Sequence, residues 1–141
     1  MITINKEQKD KFEQLLQRHD LGGPHVTHGL EQDFKCVYCD IDYLASFDAF
    51  HSLEIEHIIP ECCGGDSTEE NTAISCRNCN WIKGTRLPIG NSREERIADA
   101  RHHVKQERLR LEDEATKRLA EVTKIRLLIR GDLPIAHNHA A

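Results

Sequence analysis

Apolar residues recur at helical spacing in the first segment, where Phe12, Leu15 and Leu16 share one face between Asn5 and about His19. Asn5 and Gln8 stand in capping-box positions and Gly22-Gly23-Pro24 closes the run, which predicts a short amphipathic helix. From about His25 to Lys35 the pattern turns polar and irregular and reads as a connecting loop, with His25 and His28 exposed in it. Leu53 to Ile59 (LEIEHII) is rich in branched apolar residues and stops at Pro60, the pattern of a strand. Glu61 to Glu70 is a Gly/Asp/Ser loop, Thr72 to Ser75 can return as a second strand, and Arg77 to about Thr85 can run as a short helix. After Leu87-Pro88-Ile89-Gly90, residues 93–130 contain neither Gly nor Pro and predict one long helix, about 57 Å if unbroken. Ile97, Val104, Leu111, Ala115, Leu119, Val122 and Ile129 recur there at steps of three, four or seven, a narrow apolar stripe made to face a partner surface. Gly131 and Pro134 end the helix, and the letters HNH at 137–139 fall in what reads as a loose tail.

Composition changes this picture in one respect. The chain has 141 residues, of which 38% are hydrophobic, 5% aromatic and 30% charged, so one domain is expected and a purely apolar core is hard to build. Six cysteines supply another means of support. Cys36/Cys39 and Cys76/Cys79 form two C-x-x-C pairs, and two such turns present four thiolates to one tetrahedral Zn2+, whose binding energy becomes folding energy. Cys62 and Cys63 are chain neighbours that do not readily close onto one metal, and they read as small idle thiols. No apolar run approaches the roughly 18–20 residues of a membrane span, and the first segment is too polar for a secretory signal, so a soluble cytoplasmic protein is expected. Residues 93–130 carry eleven Lys/Arg against eight Asp/Glu, whereas the remainder is net −8, which excludes a strongly basic footprint over the whole chain. Locally, Arg77, Lys83, Arg86, Arg93 and Arg96 cluster after the second cysteine pair and could grip phosphates.

Between and beside the cysteine pairs stand C-V-Y-C, L-E-I-E-H-I-I-P, G-G-D, E-N-T and S-C-R-N-C-N-W-I-K-G. This series resembles the HNH endonuclease family, ββα-metal nucleases that cut phosphodiesters with one divalent cation, over roughly Cys36 to Thr85. The resemblance implies an α+β fold: a small zinc-stapled ββα core flanked by an N-terminal helix and a long C-terminal helix. The expected divisions are 1–35 for the first helix and loop, 36–90 for the nuclease module, 91–131 for the long helix and 132–141 for the tail.

The resemblance assigns His57 as general base, Asn71 as the residue that pins the loop and orients His57, and Glu56 and Asn80 as ligands of the catalytic cation. Each role suits the chemistry. Imidazole titrates near neutrality and can take a proton from water. Carboxylate and amide oxygens suit a hard cation, so Mg2+ or Mn2+ is the expected cofactor beside structural Zn2+. Where the family commonly has aspartate before the histidine this chain has Glu56, and where many members have a third histidine it has Asn80. Adjacent strand residues point to opposite faces, so the strand must twist or end for Glu56 and His57 to share a site. Glu54, on the Glu56 side, is a rival or supplementary ligand; Asn80 could instead cap a helix.

Arg77 and Lys83 are candidate phosphate contacts. Trp81 reads as a plug between helix and hairpin, with base stacking as the other role. His51, His102, His103, His137 and His139 have no partner spacing that supports a site. The implied function is a metal-dependent DNA endonuclease, nicking or cutting both strands and leaving 5′-phosphate and 3′-hydroxyl ends, with a homodimer through the long helix as a candidate assembly. The alternative is a non-catalytic zinc module that binds nucleic acid or a protein.

Overall fold

The computed structural model describes residues 3–20 and 23–132. In chain order these form α1 (Lys6–Gln17), α2 (Pro24–Glu31), α3 (Phe47–His51), β1 (Leu53–His57), β2 (Thr72–Cys76), α4 (Arg77–Lys83) and α5 (Arg93–Arg130). Two 3-10 turns, Glu61–Cys63 and Glu69–Asn71, lie between the strands. The strands pair antiparallel from Leu53↔Cys76 to His57↔Thr72, and with the helices they make an α+β fold. Internal contacts divide the chain after Gln106, so the sheet and its helices form one unit and the remainder of α5 belongs to another. His137 and His139 lie outside the described residues.

The elements anticipated from pattern form with small shifts of boundary. At α1 the Asn5 side chain accepts from the Gln8 N–H and the Gln8 side chain from the Asn5 N–H, which satisfies two donors that a helix start would otherwise leave orphaned. β1 ends at His57, two residues earlier than the apolar run, and α5 spans Arg93–Arg130 as expected.

Residues 25–35 depart from expectation. Most of them form α2, launched by Pro24 at its first position and packed on β2. The helical period is hidden because the buried positions are Val26, His28 and Gly29, two of which do not read as apolar. His28 is 1% exposed rather than open to solvent, with Nε2 2.8 Å from the Thr72 hydroxyl oxygen. A side chain at position 29 would meet the Phe34 ring at 2.3 Å, so only glycine permits this packing. Beyond α2, the Gln32 amide stands in for a missing strand: Oε1 accepts from the Ile74 N–H at 2.9 Å, and Nε2 donates to the Ile74 carbonyl at 2.8 Å. This satisfies a backbone edge that two strands alone leave open. α3 also escapes the apolar pattern; it is five residues long and held by the Ser46 hydroxyl, which accepts from the Ala49 N–H.

Tyr38, Tyr43, Ile74, Ala100 and Val104 make the core together with Cys36, Cys76 and Cys79. Of the stripe on α5 only Val104 is buried, beside Ala100 near the start of the helix. Arg93 and Arg86 serve packing. Arg93 binds both Glu31 oxygens and the Thr72 carbonyl, while Arg86 and the Ile89 N–H both reach Asp99 Oδ2. Within the second unit, Leu119, Val122 and Ile129 are exposed, and ion pairs such as Arg110–Glu114 and Lys117–Asp113 line the helix. Among the described residues no helix is long and apolar enough to cross a membrane.

Gln32→Ala strips the edge of β2 at Ile74 and leaves its buried N–H without a partner. It is expected to lower the unfolding free energy of the zinc-loaded protein by about 1–3 kcal/mol, read from the urea midpoint at unchanged m-value.

Candidate active site

Two turns of chain converge beneath the sheet. The first is Cys36-Val37-Tyr38-Cys39; the second is the junction of β2 and α4, where the Cys76 sulfur caps α4 by accepting from the Cys79 N–H. The Cys36 sulfur accepts from the Tyr38 and Cys76 N–H groups at 3.4 and 3.3 Å. All four sulfurs lie within 4.8 Å of one another, with Cys39 and Cys76 at 3.7 Å. Sulfurs about 2.3 Å from a tetrahedral zinc stand about 3.8 Å apart, so the cluster has the dimensions of a four-cysteine zinc site. Hydrogen bonding, from Cys39 first and then from Cys76 and Cys79, pulls Cys36 well below the usual thiol range. The Tyr43 hydroxyl is the one buried side-chain polar atom among the described residues without a hydrogen-bond partner, and burial, followed by the charge of Cys36, pushes its ionisation up. A metal-held Cys36 thiolate is a much better acceptor for that hydroxyl than a thiol is. The donor set and this orphaned hydroxyl both fit zinc.

A cleft of about 160 Å3 is lined by Glu56, His57, Pro60, Glu61, Asn80 and Gly84, among others. Glu56, His57 and Asn80 thus come together as expected. Glu56 and His57 are both paired positions of β1, its last two residues, and both line the cleft although regular alternation turns adjacent strand residues to opposite faces.

Glu56 is 2% exposed. Its Oε1 accepts from the Tyr38 hydroxyl at 3.2 Å and lies 2.5 Å from the Lys83 ammonium, itself buried. Burial pushes the Glu56 carboxyl up, and Lys83 counters by stabilising the charged form. Lys83 also donates to the His57 carbonyl at 2.9 Å. An ammonium buried and engaged in this way is placed to hold Glu56 charged, not to face a phosphate as the sequence suggested.

Asn80 donates from Nδ2 to Glu54 Oε2 at 2.8 Å, which leaves Oδ1 as the atom a hard cation would take. Glu54 spends its other oxygen on Arg77 Nε at 3.1 Å. Glu54 thus has both carboxylate oxygens engaged, and Asn80 lies inside α4, whose cap is Cys76. Arg77 retains 69% side-chain exposure despite its bond to Glu54.

His57 Nε2 lies 3.0 Å from the Ser67 hydroxyl oxygen and 3.6 Å from Glu61 Oε1. Asn71 touches neither ring nitrogen. Its Oδ1 accepts from the Ile59 N–H, and its Nδ2 donates to the carbonyls of Ile59 and Asp66, so it ties the loop shut between β1 and β2. The loop it ties also carries Ser67, whose hydroxyl oxygen lies beside His57 Nε2. Gly65 has to be glycine here, since a Cβ would lie 1.8 Å from the Ile59 carbonyl oxygen and 2.7 Å from the Asn71 amide nitrogen.

Tyr38, Ser67 and Glu61 were not singled out by sequence reasoning. The only signals they carried were position inside C-x-x-C, in the Gly-Asp-Ser loop, and directly after E-H-I-I-P. Trp81 is 73% exposed and plugs nothing. Cys62 and Cys63 are exposed on the 3-10 turn beside the cleft, with sulfurs 3.7 Å apart.

Comparison with known proteins agrees with this geometry. Residues 36–86 match the family model described as HNH endonuclease, a segment that contains both cysteine pairs and every cleft residue named above. No curated protein and no solved structure matches the chain.

Removing one partner of the buried Glu56–Lys83 pair leaves an uncompensated charge. Lys83→Met is expected to destabilise the zinc-loaded protein by about 3–5 kcal/mol in urea unfolding, and adding Glu56→Gln is expected to restore much of that loss.

Proposed function

With residues 36–86 an HNH endonuclease domain as the premise, we propose that the chain is a metal-dependent DNA endonuclease that hydrolyses phosphodiester bonds, with Zn2+ as a structural element. The observation that carries this reading is the meeting of Glu56, His57 and Asn80 in one cleft of a module that also gathers four cysteine sulfurs. A nuclease-type hydrolase needs a base, a cation held by hard ligands, and a fixed frame, and the cleft offers residues for each.

In this reading a Glu56 carboxylate oxygen and Asn80 Oδ1 would hold Mg2+ or Mn2+. The bound cation supplies Lewis-acid stabilisation to the non-bridging oxygen and the leaving alkoxide. His57 takes the proton of the attacking water through a ring nitrogen. Tyr38 and Lys83 hold Glu56 as a carboxylate in dry surroundings, and Glu54 sets the orientation of the Asn80 amide. Asn71 keeps the loop closed around His57. Arg77, exposed on α4, is the candidate contact for a neighbouring phosphate. By resemblance to the HNH family, hydrolysis would leave 5′-phosphate and 3′-hydroxyl ends.

The second unit is read separately. Leu119, Val122 and Ile129 are 65%, 54% and 81% exposed, and packing them between two copies would pair two cleavage sites. Sedimentation equilibrium is expected to give twice the chain mass, and a monomer at all concentrations would remove the dimer from the account.

Supercoiled plasmid at low salt tests the main proposal. Nicking is expected with Mg2+ or Mn2+ and none without added divalent cation in zinc-loaded protein. His57→Ala, checked for zinc content and folding, is expected to lose at least about 100-fold in rate. Glu54→Ala, which unties the Asn80 amide, is expected to raise the cation concentration for half-maximal cleavage by about tenfold. No cleavage of duplex, branched or single-stranded DNA by folded, zinc-loaded protein would favour the non-catalytic zinc module.

A further inference from the structure

α4 presents two contrasting sides. At about 100° per residue, Cys79 and Lys83 fall on one side, and both are buried. Arg77, Asn80 and Trp81 fall within about 100° of arc on the other, and Gly84, one turn beyond Asn80, lines the same cleft as Asn80 does. The indole is therefore carried on the helix side that borders the cleft, one turn from a guanidinium whose side chain is 69% exposed.

An indole 73% open to water forgoes the large apolar burial that normally accounts for a tryptophan in a small domain. This is the chain's single tryptophan, and in a sequence with 5% aromatic residues it is not packed into the thin core. The electrostatic grip nearby is weak as well. Of the five basic residues that follow the second cysteine pair, Arg77, Lys83, Arg86 and Arg93 are each bonded to a carboxylate. A flat ring beside an exposed guanidinium complements a nucleotide, with the base on the ring and the phosphate on the cation. Bases inside an intact duplex have no free face to offer such a ring.

We propose that Trp81 and Arg77 form a nucleotide subsite beside the cleft that stacks one unpaired base next to the scissile phosphate, so that the preferred substrate is single-stranded or gapped nucleic acid instead of intact duplex. This rests on the nuclease reading for its position along the substrate, but binding alone can test it. Guanidinium contact fixes the phosphate, the ring takes whichever base follows, and recognition is indifferent to sequence because every base has a π-face.

The experiment uses the zinc-loaded full chain without added catalytic cation, so no cleavage occurs. Three labelled oligonucleotides of one sequence are compared by anisotropy: single strand, blunt duplex, and duplex with a three-nucleotide gap. Single-stranded and gapped forms are expected to bind more tightly than the duplex and to quench the fluorescence of Trp81. Trp81→Ala is expected to lose about tenfold or more in affinity for those two forms, with little change for blunt duplex, while Trp81→Phe retains most of it. Zinc content and the thermal midpoint of each variant confirm that the fold is kept. Unquenched fluorescence with unchanged Trp81→Ala binding would overturn the subsite, as would an equal loss on all three substrates. Plasmid nicking that persists with such a result would leave the nuclease reading standing alone. Stacking on single strands by a protein that cuts nothing would retain the subsite and remove the nuclease.

Discussion

Four sulfurs within 4.8 Å of one another set the positions of nearly everything that matters in the first unit. Cys36 and Cys39 bracket Tyr38, whose hydroxyl reaches Glu56. Cys76 and Cys79 begin α4, so that Asn80 and Lys83 are one and four residues beyond a fixed sulfur. Linking these two turns thus brings together both proposed cation ligands and the groups that hold one of them charged. A two-stranded sheet is marginal by itself. Zinc contributing on the order of 10 kcal/mol to folding would make the frame rigid enough for catalysis without a large core.

The electrostatics of the cleft follow from this frame. Burying a carboxylate is costly, and the chain offsets the cost with an ammonium and a hydroxyl in place of water. The same arrangement keeps the Lys83 ammonium buried, bonded to Glu56 and the His57 carbonyl. Carboxylates also pair with Arg77, Arg86 and Arg93, in keeping with a net charge of −5, and of these Arg77 keeps the most exposed side chain.

What the sequence made legible was chemistry at fixed spacing: both cysteine pairs converge, and Glu56 and His57 of E-H-I-I-P line one cleft with Asn80. Local signals with a mechanism also came through, including the Asn5 capping box and the Gly- and Pro-free stretch of α5. The failures have a common origin, which is that polar side chains here do structural work. His28 in α2, Gln32 on the β2 edge and Arg93 against Glu31 are polar residues in packed positions, and hydrophobic periodicity cannot see them. Trp81 failed in the opposite direction, since an apolar side chain was assumed to be buried.

Location of the cation tests the central claim most directly. In anomalous diffraction from crystals of the zinc-loaded chain grown with Mn2+, the expected result is a manganese peak about 2.0–2.2 Å from a Glu56 carboxylate oxygen and from Asn80 Oδ1, beside His57. A peak held by Glu54 or Glu61 without Glu56, or an empty cleft at saturating Mn2+, would contradict it.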